Sequence, residues 1–210
     1  MLIIRTNYDI QTDYLYIWSN ELINDAKKRG FKVTKIEGKY VTLKDVKGKI
    51  KARKPNFIFF NGHGSTKSFY DNNNKPFIDI DSSDIFEGKV TFARACDCLK
   101  ELGPNAIKKG CYAFIGYKKK FWISRSHKRE CHPLKDDVAK PAIECSNVIV
   151  KELLKGKSVN EAVQKSHMKS VDYILELIYS KEPLASASLQ AVVTNDLALD
   201  FEGNPSATIC

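Results

Sequence analysis

Two apolar runs that end abruptly at reactive side chains constrain this 210-residue chain more than any other feature. Phe57-Ile58-Phe59-Phe60 holds no polar residue, which suits a central strand covered on both faces. It gives way at once to Asn61-Gly62-His63-Gly64-Ser65. Val90-Thr91-Phe92-Ala93 behaves likewise and stops at Arg94-Ala95-Cys96-Asp97-Cys98. In a parallel α/β sheet the carboxyl ends of the strands line up along one edge, where reactive groups gather. His63 and Cys96 are therefore expected to face each other across neighbouring strand ends.

The order of the remaining signals reads as strands alternating with helices. Leu2-Ile3-Ile4 suits a short buried strand. A helical pattern follows from a cap at Thr12 or Asp13, with Leu15, Trp18, Leu22, Ile23 and Ala26 on one face, and it ends at Lys27-Lys28-Arg29-Gly30. Residues 31–36 and 40–43 read as a hairpin turning at Glu37-Gly38-Lys39, and the Asn-rich stretch from Tyr70 to Lys75 as a turn or loop. Cys111 to Ile115 is a further core strand, and a helix runs from Ala139 to Leu154. Ser158-Val159-Asn160-Glu161 has the form of a capping box, opening a helix with Val163, His167, Val171, Ile174, Leu175 and Ile178 on one stripe. Leu189 to Val193 and Leu197 to Phe201 read as two strands joined at Asn195-Asp196. Such an order predicts an α/β layered sheet, mainly parallel, in one domain spanning 1–210.

Composition excludes several classes. Apolar residues make up 43% and charged residues 28%, the balance of a folded globular protein. No run approaches the ~18 apolar residues of a membrane span, and the start Met1-Leu2-Ile3-Ile4-Arg5 turns polar too soon for a secretory leader, so a cytoplasmic location is expected. Free thiols are expected for Cys96, Cys98, Cys111, Cys131, Cys145 and Cys210. The net charge of +9 is spread along the chain, with one local cluster at Lys118-Lys119-Lys120, Arg125, Lys128 and Arg129, and reads as solvated surface rather than a nucleic-acid footprint.

A thiol beside an imidazole is what nucleophilic acyl transfer requires. The thiol needs a nearby base, and a histidine near neutral pH first takes its proton and then protonates the leaving amine. Gly64, lacking a Cβ, lets a substrate carbonyl approach its N–H, which would pair with the Cys96 N–H as an oxyanion hole.

An apolar block then His-Gly, and a second apolar block then Ala-Cys, resembles the signature of the caspase, gingipain, legumain, clostripain and CHAT-domain peptidases (clan CD), with gingipain and CHAT relatives nearest. Gly110-Cys111-Tyr112-Ala113-Phe114-Ile115-Gly116-Tyr117 resembles the strand after their catalytic cysteine. Leu199-Asp200-Phe201-Glu202-Gly203-Asn204-Pro205-Ser206 resembles their closing segment, with Asn in place of Asp. The likeness runs from Leu2 to Ile209. It implies a caspase-like three-layer α/β sandwich and a cysteine endopeptidase, with Cys96 as nucleophile, His63 as acid–base, and Gly64 and Cys96 as oxyanion donors. In several relatives the residue two before the nucleophile lines the pocket for the P1 side chain. Arg94, with Ala95, would then bind substrate and favour an acidic P1. No third catalytic group is identified. Caspases follow their Gln-Ala-Cys with a basic or small residue and Gly, where this chain has Asp97-Cys98.

Blander readings bear on the remaining residues. Cys98, Cys111 and Cys145 suit packing, although Cys98 also suits a resolving thiol for an oxidised Cys96. Cys131-His132 lacks the spacing of a structural zinc site, so no metal or other cofactor is expected. His167 suits a satisfied interior position, and His127 and His132 a solvated one. Gly62-His63-Gly64 lacks the remainder of a nucleotide loop. The expected partners are a protein or peptide substrate and an activating protein that releases a latent state, with no membrane. The alternatives are an idle domain of the same fold serving as a binding module, and a basic nucleic-acid-binding protein.

Overall fold

The structure, a computed structural model, describes residues 1–209. Cys210 lies outside them. Six strands form the main sheet: β1 (Leu2–Arg5), β2 (Thr34–Glu37), β3 (Phe57–Asn61), β6 (Val90–Arg94), β7 (Ala113–Tyr117) and β8 (Leu199–Gly203), in the order β2-β1-β3-β6-β7-β8. All neighbours pair parallel except β7 with β8. A separate hairpin joins β4 (Ser68–Tyr70) to β5 (Pro76–Asp79), and Asp71 closes its turn by accepting from the Asn73 and Lys75 backbone N–H groups.

Every residue of β1, β3, β6 and β7 is buried, as the apolar runs predict for strands covered on both sides. Alternation divides their side chains between two cores. On one face Ile3, Phe57, Phe59, Val90 and Phe92 meet α2 (Asn20–Lys28), α5 (Lys140–Leu153) and the start of α6 (Val159–Tyr179) through Leu22, Ala26, Ile149, Leu153 and Ala162. On the other, Leu2, Ile4, Ile58, Phe60 and Phe114 meet α3 (Leu43–Arg53) and α4 (Leu102–Lys108) through Val46, Leu102 and Ala106. Phe69 of the hairpin stacks on Phe60 with ring centroids 4.0 Å apart. The result is the expected mainly parallel sheet between two helical layers.

Several local expectations are corrected. The predicted hairpin over 31–43 is absent: Thr34–Glu37 pairs parallel with β1, and the chain runs on into α3. Thr42 caps that helix by accepting from the Asp45 N–H, and Leu43, Val46 and Ile50 face the sheet at helical spacing. The tail likewise holds one strand, not two. Residues 185–198 form α7 (Ala185–Ala198), with Ala185, Ser188, Ala191, Val192, Asn195 and Ala198 buried at intervals of three and four, a pattern that outweighs the β-branched pair Val192-Val193.

Helix α6 opens with the predicted capping box, Ser158 with Glu161. Its buried side keeps only part of the predicted stripe: Val159, Ala162, Val163, Ser166, Ser170 and Tyr173 face inward with partly buried Ile174, whereas Val171, Leu175 and Ile178 face out. Small serines let α6 lie close to α5, and the Ser166 hydroxyl donates to the Cys145 carbonyl at 2.8 Å. Half-buried His167 pairs with Asp196 at 2.8 Å, which raises its pKa.

Candidate active site

Strand β3 ends at Asn61, in register with Arg94 at the end of β6. The residues just beyond, His63 and Cys96, line one small pocket of about 50 Å³ with Gly62, Arg94, Ala95 and Phe121. Cys96 is followed by Asp97 in the left-handed region (φ 55°), a conformation that Asp tolerates better than most residues. The Asp97 N–H donates to the Lys119 carbonyl and its carboxylate pairs with Lys100 at 2.6 Å, so the sharp turn under the thiol is held from both sides.

The two loops meet at Gly64. A Cβ there would lie 2.9 Å from the Ala95 Cβ and 3.3 Å from the Cys96 carbonyl oxygen, closer than packing allows. The hairpin holds this loop in place: the Ser65 N–H donates to the Ser68 carbonyl and the Tyr70 N–H to the His63 carbonyl. Among the described residues, the main-chain hydrogen-bond network uses neither the Gly64 nor the Cys96 N–H.

His63 has a partner that the sequence reading did not find. Its Nε2 lies 2.6 Å from Asp9 Oδ2. Asp9 is the N-cap of α1 (Ile10–Trp18), and its other oxygen accepts from the Thr12 backbone N–H and hydroxyl, both at 2.8 Å. One carboxylate therefore fixes both the helix start and the imidazole. Partial burial pushes the Asp9 carboxyl up, but hydrogen bonds from the Thr12 backbone, His63 and the Thr12 side chain outweigh it and leave its pKa below the usual value. The signal was the capping box Asp9-Ile10-Gln11-Thr12, which the helical pattern alone placed about three residues too late.

Burial raises the pKa of the Cys96 thiol and the neighbouring Asp97 adds to this, while the Phe121 backbone and Lys120 oppose it. Cys96 thus rests as a thiol near neutral pH. Cys98 points the other way, into the core, with its sulfur 3.3 Å from the Ala95 carbonyl and burial pushing its pKa to about 12. A Cβ on Gly116 would lie 2.7 Å from that sulfur. Cys111 and Cys145 are buried as well, and Cys131 is exposed.

Arg94 is fully buried. Its Nε donates to Ser146 Oγ at 2.8 Å and its Nη2 to Asn147 Oδ1, while Nη1 has no partner. Desolvation lowers its pKa to about 10, so it remains a cation at neutral pH. Of the basic loop, Lys118 is taken up by Asp200 at 2.6 Å. The outer wall of the pocket is Phe121 and Ile123. Asn195 of α7 pins this segment, accepting from the Trp122 N–H at 2.7 Å and donating to the Trp122 carbonyl at 2.8 Å. Buried Asp136 holds its far end, accepting from the Ser126 N–H and the Tyr14 hydroxyl.

The chain superposes over 99% of its length on the Arg-specific cysteine proteinase gingipain R, with a TM-score of 0.64 and 14% identity. The fold is gingipain-like. A second structure, the complex of the pro- and mature domains of RgpB from Porphyromonas gingivalis, matches over 99% of the chain with a TM-score of 0.60 and 13% identity. The chain spans 46% and 48% of those chains, just under half their length. No family model and no curated protein matches it in sequence. Among the described residues, no helix is long and apolar enough to cross a membrane, and no group of three or more His, Cys, Asp or Glu side chains is placed to hold a metal ion.

Proposed function

We propose that the chain is a single-domain cysteine endopeptidase of the gingipain and CHAT-like kind, with Cys96 as nucleophile and His63 as acid–base. The observation that carries this reading is one pocket lined by a thiol, an imidazole and a buried arginine with a free N–H. Because Asp9 accepts from Nε2 of His63, Nδ1 is the nitrogen left to act as base. It takes the Cys96 proton as the sulfur adds to the peptide carbonyl. Asp9 stabilises the imidazolium, and the Gly64 and Cys96 N–H groups receive the oxyanion. The tetrahedral adduct collapses to a thioester as His63 returns the proton to the leaving amine. Water, deprotonated by His63, then releases the acid and restores the thiol.

Arg94 and Ala95 form the inner end of the pocket, and the free Nη1 of Arg94 suits a carboxylate, hence an acidic P1 residue. The neighbour gingipain R is Arg-specific, the opposite charge. The pocket's small volume and the raised thiol pKa fit a latent state in which the Phe121 wall moves when a substrate or an activating protein docks. The same two observations favour a second reading, an idle domain acting as a binding module. A proteome-derived peptide library incubated with wild type and with Cys96→Ala separates them. New termini after Asp or Glu in the wild type alone are expected. Equal termini for both proteins, with and without co-purified partners, would leave the binding module.

A further inference from the structure

At the carboxyl edge of the sheet the last residues of β1, β3 and β6 are Arg5, Asn61 and Arg94, which stand side by side in register. Alternation puts all three side chains on the face of Ile3, Phe59 and Phe92, towards α2 and α5. All three are buried. Two guanidinium groups flanking an amide in so dry a place need acceptors to balance them.

Arg5 is balanced. It pairs with Glu37 and donates to the Tyr16 carbonyl at 2.9 Å, Ser19 at 2.9 Å and Asn20 at 2.8 Å. Arg94 is not. Its partners Ser146 and Asn147 are neutral. Glu21 is reached only through Asn147 Nδ2, at 2.6 Å, and is itself paired with Lys151 at 3.1 Å. Among the described residues, neither Nη1 of Arg94 nor either end of the Asn61 amide has a partner. The row therefore holds one buried cation with no carboxylate against it, a condition that an anion relieves.

The pocket that Arg94 lines with Gly62, the residue after Asn61, is about 50 Å³. One water needs ~10–15 Å³ of such space, so a group of a few heavy atoms fits. With Nδ2 of Asn61 turned to the Arg94 side, it joins Nη1 in a two-donor fork, the pattern a carboxylate accepts from. Oδ1 then turns to the Arg5 side, so neither end of the amide opposes the charge it meets. A water in that place would satisfy the donors and leave the charge.

We infer that Asn61 and Arg94 together bind one carboxylate group at the base of this pocket. The inference builds on the acidic P1 reading, to which it adds Asn61 as a second donor, but its test needs no turnover. A chain that binds the carboxylate and cleaves nothing would keep the site and lose the peptidase. The probe is sodium formate, and the measurement is thermal unfolding of the full chain against equal concentrations of the bulkier morpholinoethanesulfonate. A saturable rise in the midpoint is expected in formate alone, about 3–6 °C at ten times its Kd. Asn61→Leu, similar in shape but without the donor, should need at least tenfold more formate for the same rise. Asn61→Asp builds a carboxylate into the row, so it should melt above wild type at pH 7 and respond to formate no longer. The sign decides, because in a row already balanced one more buried charge would lower the midpoint. Acetyl-aspartyl-amide acting at lower concentrations than formate would name a substrate side chain as the natural occupant, and formate acting alone would name a free anion. A response to formate no larger than to the sulfonate would overturn the inference. So would Asn61→Leu titrating like wild type, or Asn61→Asp melting below it.

Discussion

The carboxylate of Asp9 reaches His63 Nε2 at 2.6 Å while its other oxygen caps helix α1, so a residue 54 positions upstream orients the imidazole. This linkage separates two roles that substitution can pull apart. Asn keeps the capping geometry and Ala does not. Asp9→Asn should therefore melt close to wild type, and Asp9→Ala should lose about 1 kcal/mol as a lost cap does. Both should lower kcat with little change in KM, by no more than the ~10²–10⁴-fold of a complete acid–base contribution. The folded-state pKa of Asp9 lies below its ordinary value, so its stabilisation is present above the unfolded carboxyl's pKa and is lost as pH falls through the folded one. A urea titration from neutral to acid pH should show that loss in wild type and not in Asp9→Asn.

The raised pKa of Cys96 gives a second expectation. Burial holds the sulfur protonated, so its alkylation by iodoacetamide should be slow at pH 7 and climb with pH, with a midpoint above the ~8.5 of a free cysteine. Quantifying the Cys96-containing peptide by mass spectrometry keeps exposed Cys131 from dominating the signal. A rate already level at pH 6 would mean a resting thiolate and would rule out the proton transfer to His63 proposed for the first step.

How much of this was readable in advance follows from the range of the forces involved. Phe57–Phe60 and Val90–Ala93 announce themselves because a strand covered on both faces needs apolar side chains at every position. The turn residues after each run then place His63 and Cys96 on one edge of the sheet. Asp9 stayed hidden because its contact with His63 depends on the packing of α1 across the strand ends, which no local pattern encodes. Helix α3 escapes a local reading because Tyr40 to Leu43 has the apolar, β-branched look of a strand, although Thr42 and Asp45 supply a helix cap. The large apolar residues of the outer α6 stripe read as a core face, whereas the real one mixes Val159, Val163 and Tyr173 with the small Ala162, Ser166 and Ser170.

Arg94 supports a test of specificity by conservative substitution. Removing the guanidinium leaves the buried Asn147 Oδ1 without its donor, while Ser146 still accepts from the Tyr117 hydroxyl, and Arg94→Ala should destabilise the fold by about 1–3 kcal/mol. Arg94→Lys keeps the charge and loses the fork. Its kcat/KM for acidic P1 substrates should fall about 10–100-fold, in line with the ~1.5–3 kcal/mol of a hydrogen bond to a charged group. For substrates with a small neutral P1 the change should be slight. Equal losses on both substrate types would remove Arg94 from the P1 pocket and leave it a structural role.

Asn195 supplies the last expectation, because it pairs with both the N–H and the carbonyl of Trp122 from a buried position on α7. The pairing fixes the segment that carries Phe121 over the pocket, so Asn195 governs access to Cys96 without touching it. Asn195→Ala leaves two main-chain groups unsatisfied and should cost about 1–3 kcal/mol. In a domain of this size each kcal/mol lowers the thermal midpoint by about 2–4 °C. A loosened wall should also speed alkylation of Cys96 at fixed pH while leaving its pH midpoint lower than in wild type, since solvent entering the pocket relieves the desolvation that raises the thiol pKa. A variant with the lower melting point but an unchanged alkylation profile would show that the Trp122 segment is only part of the scaffold and not a gate.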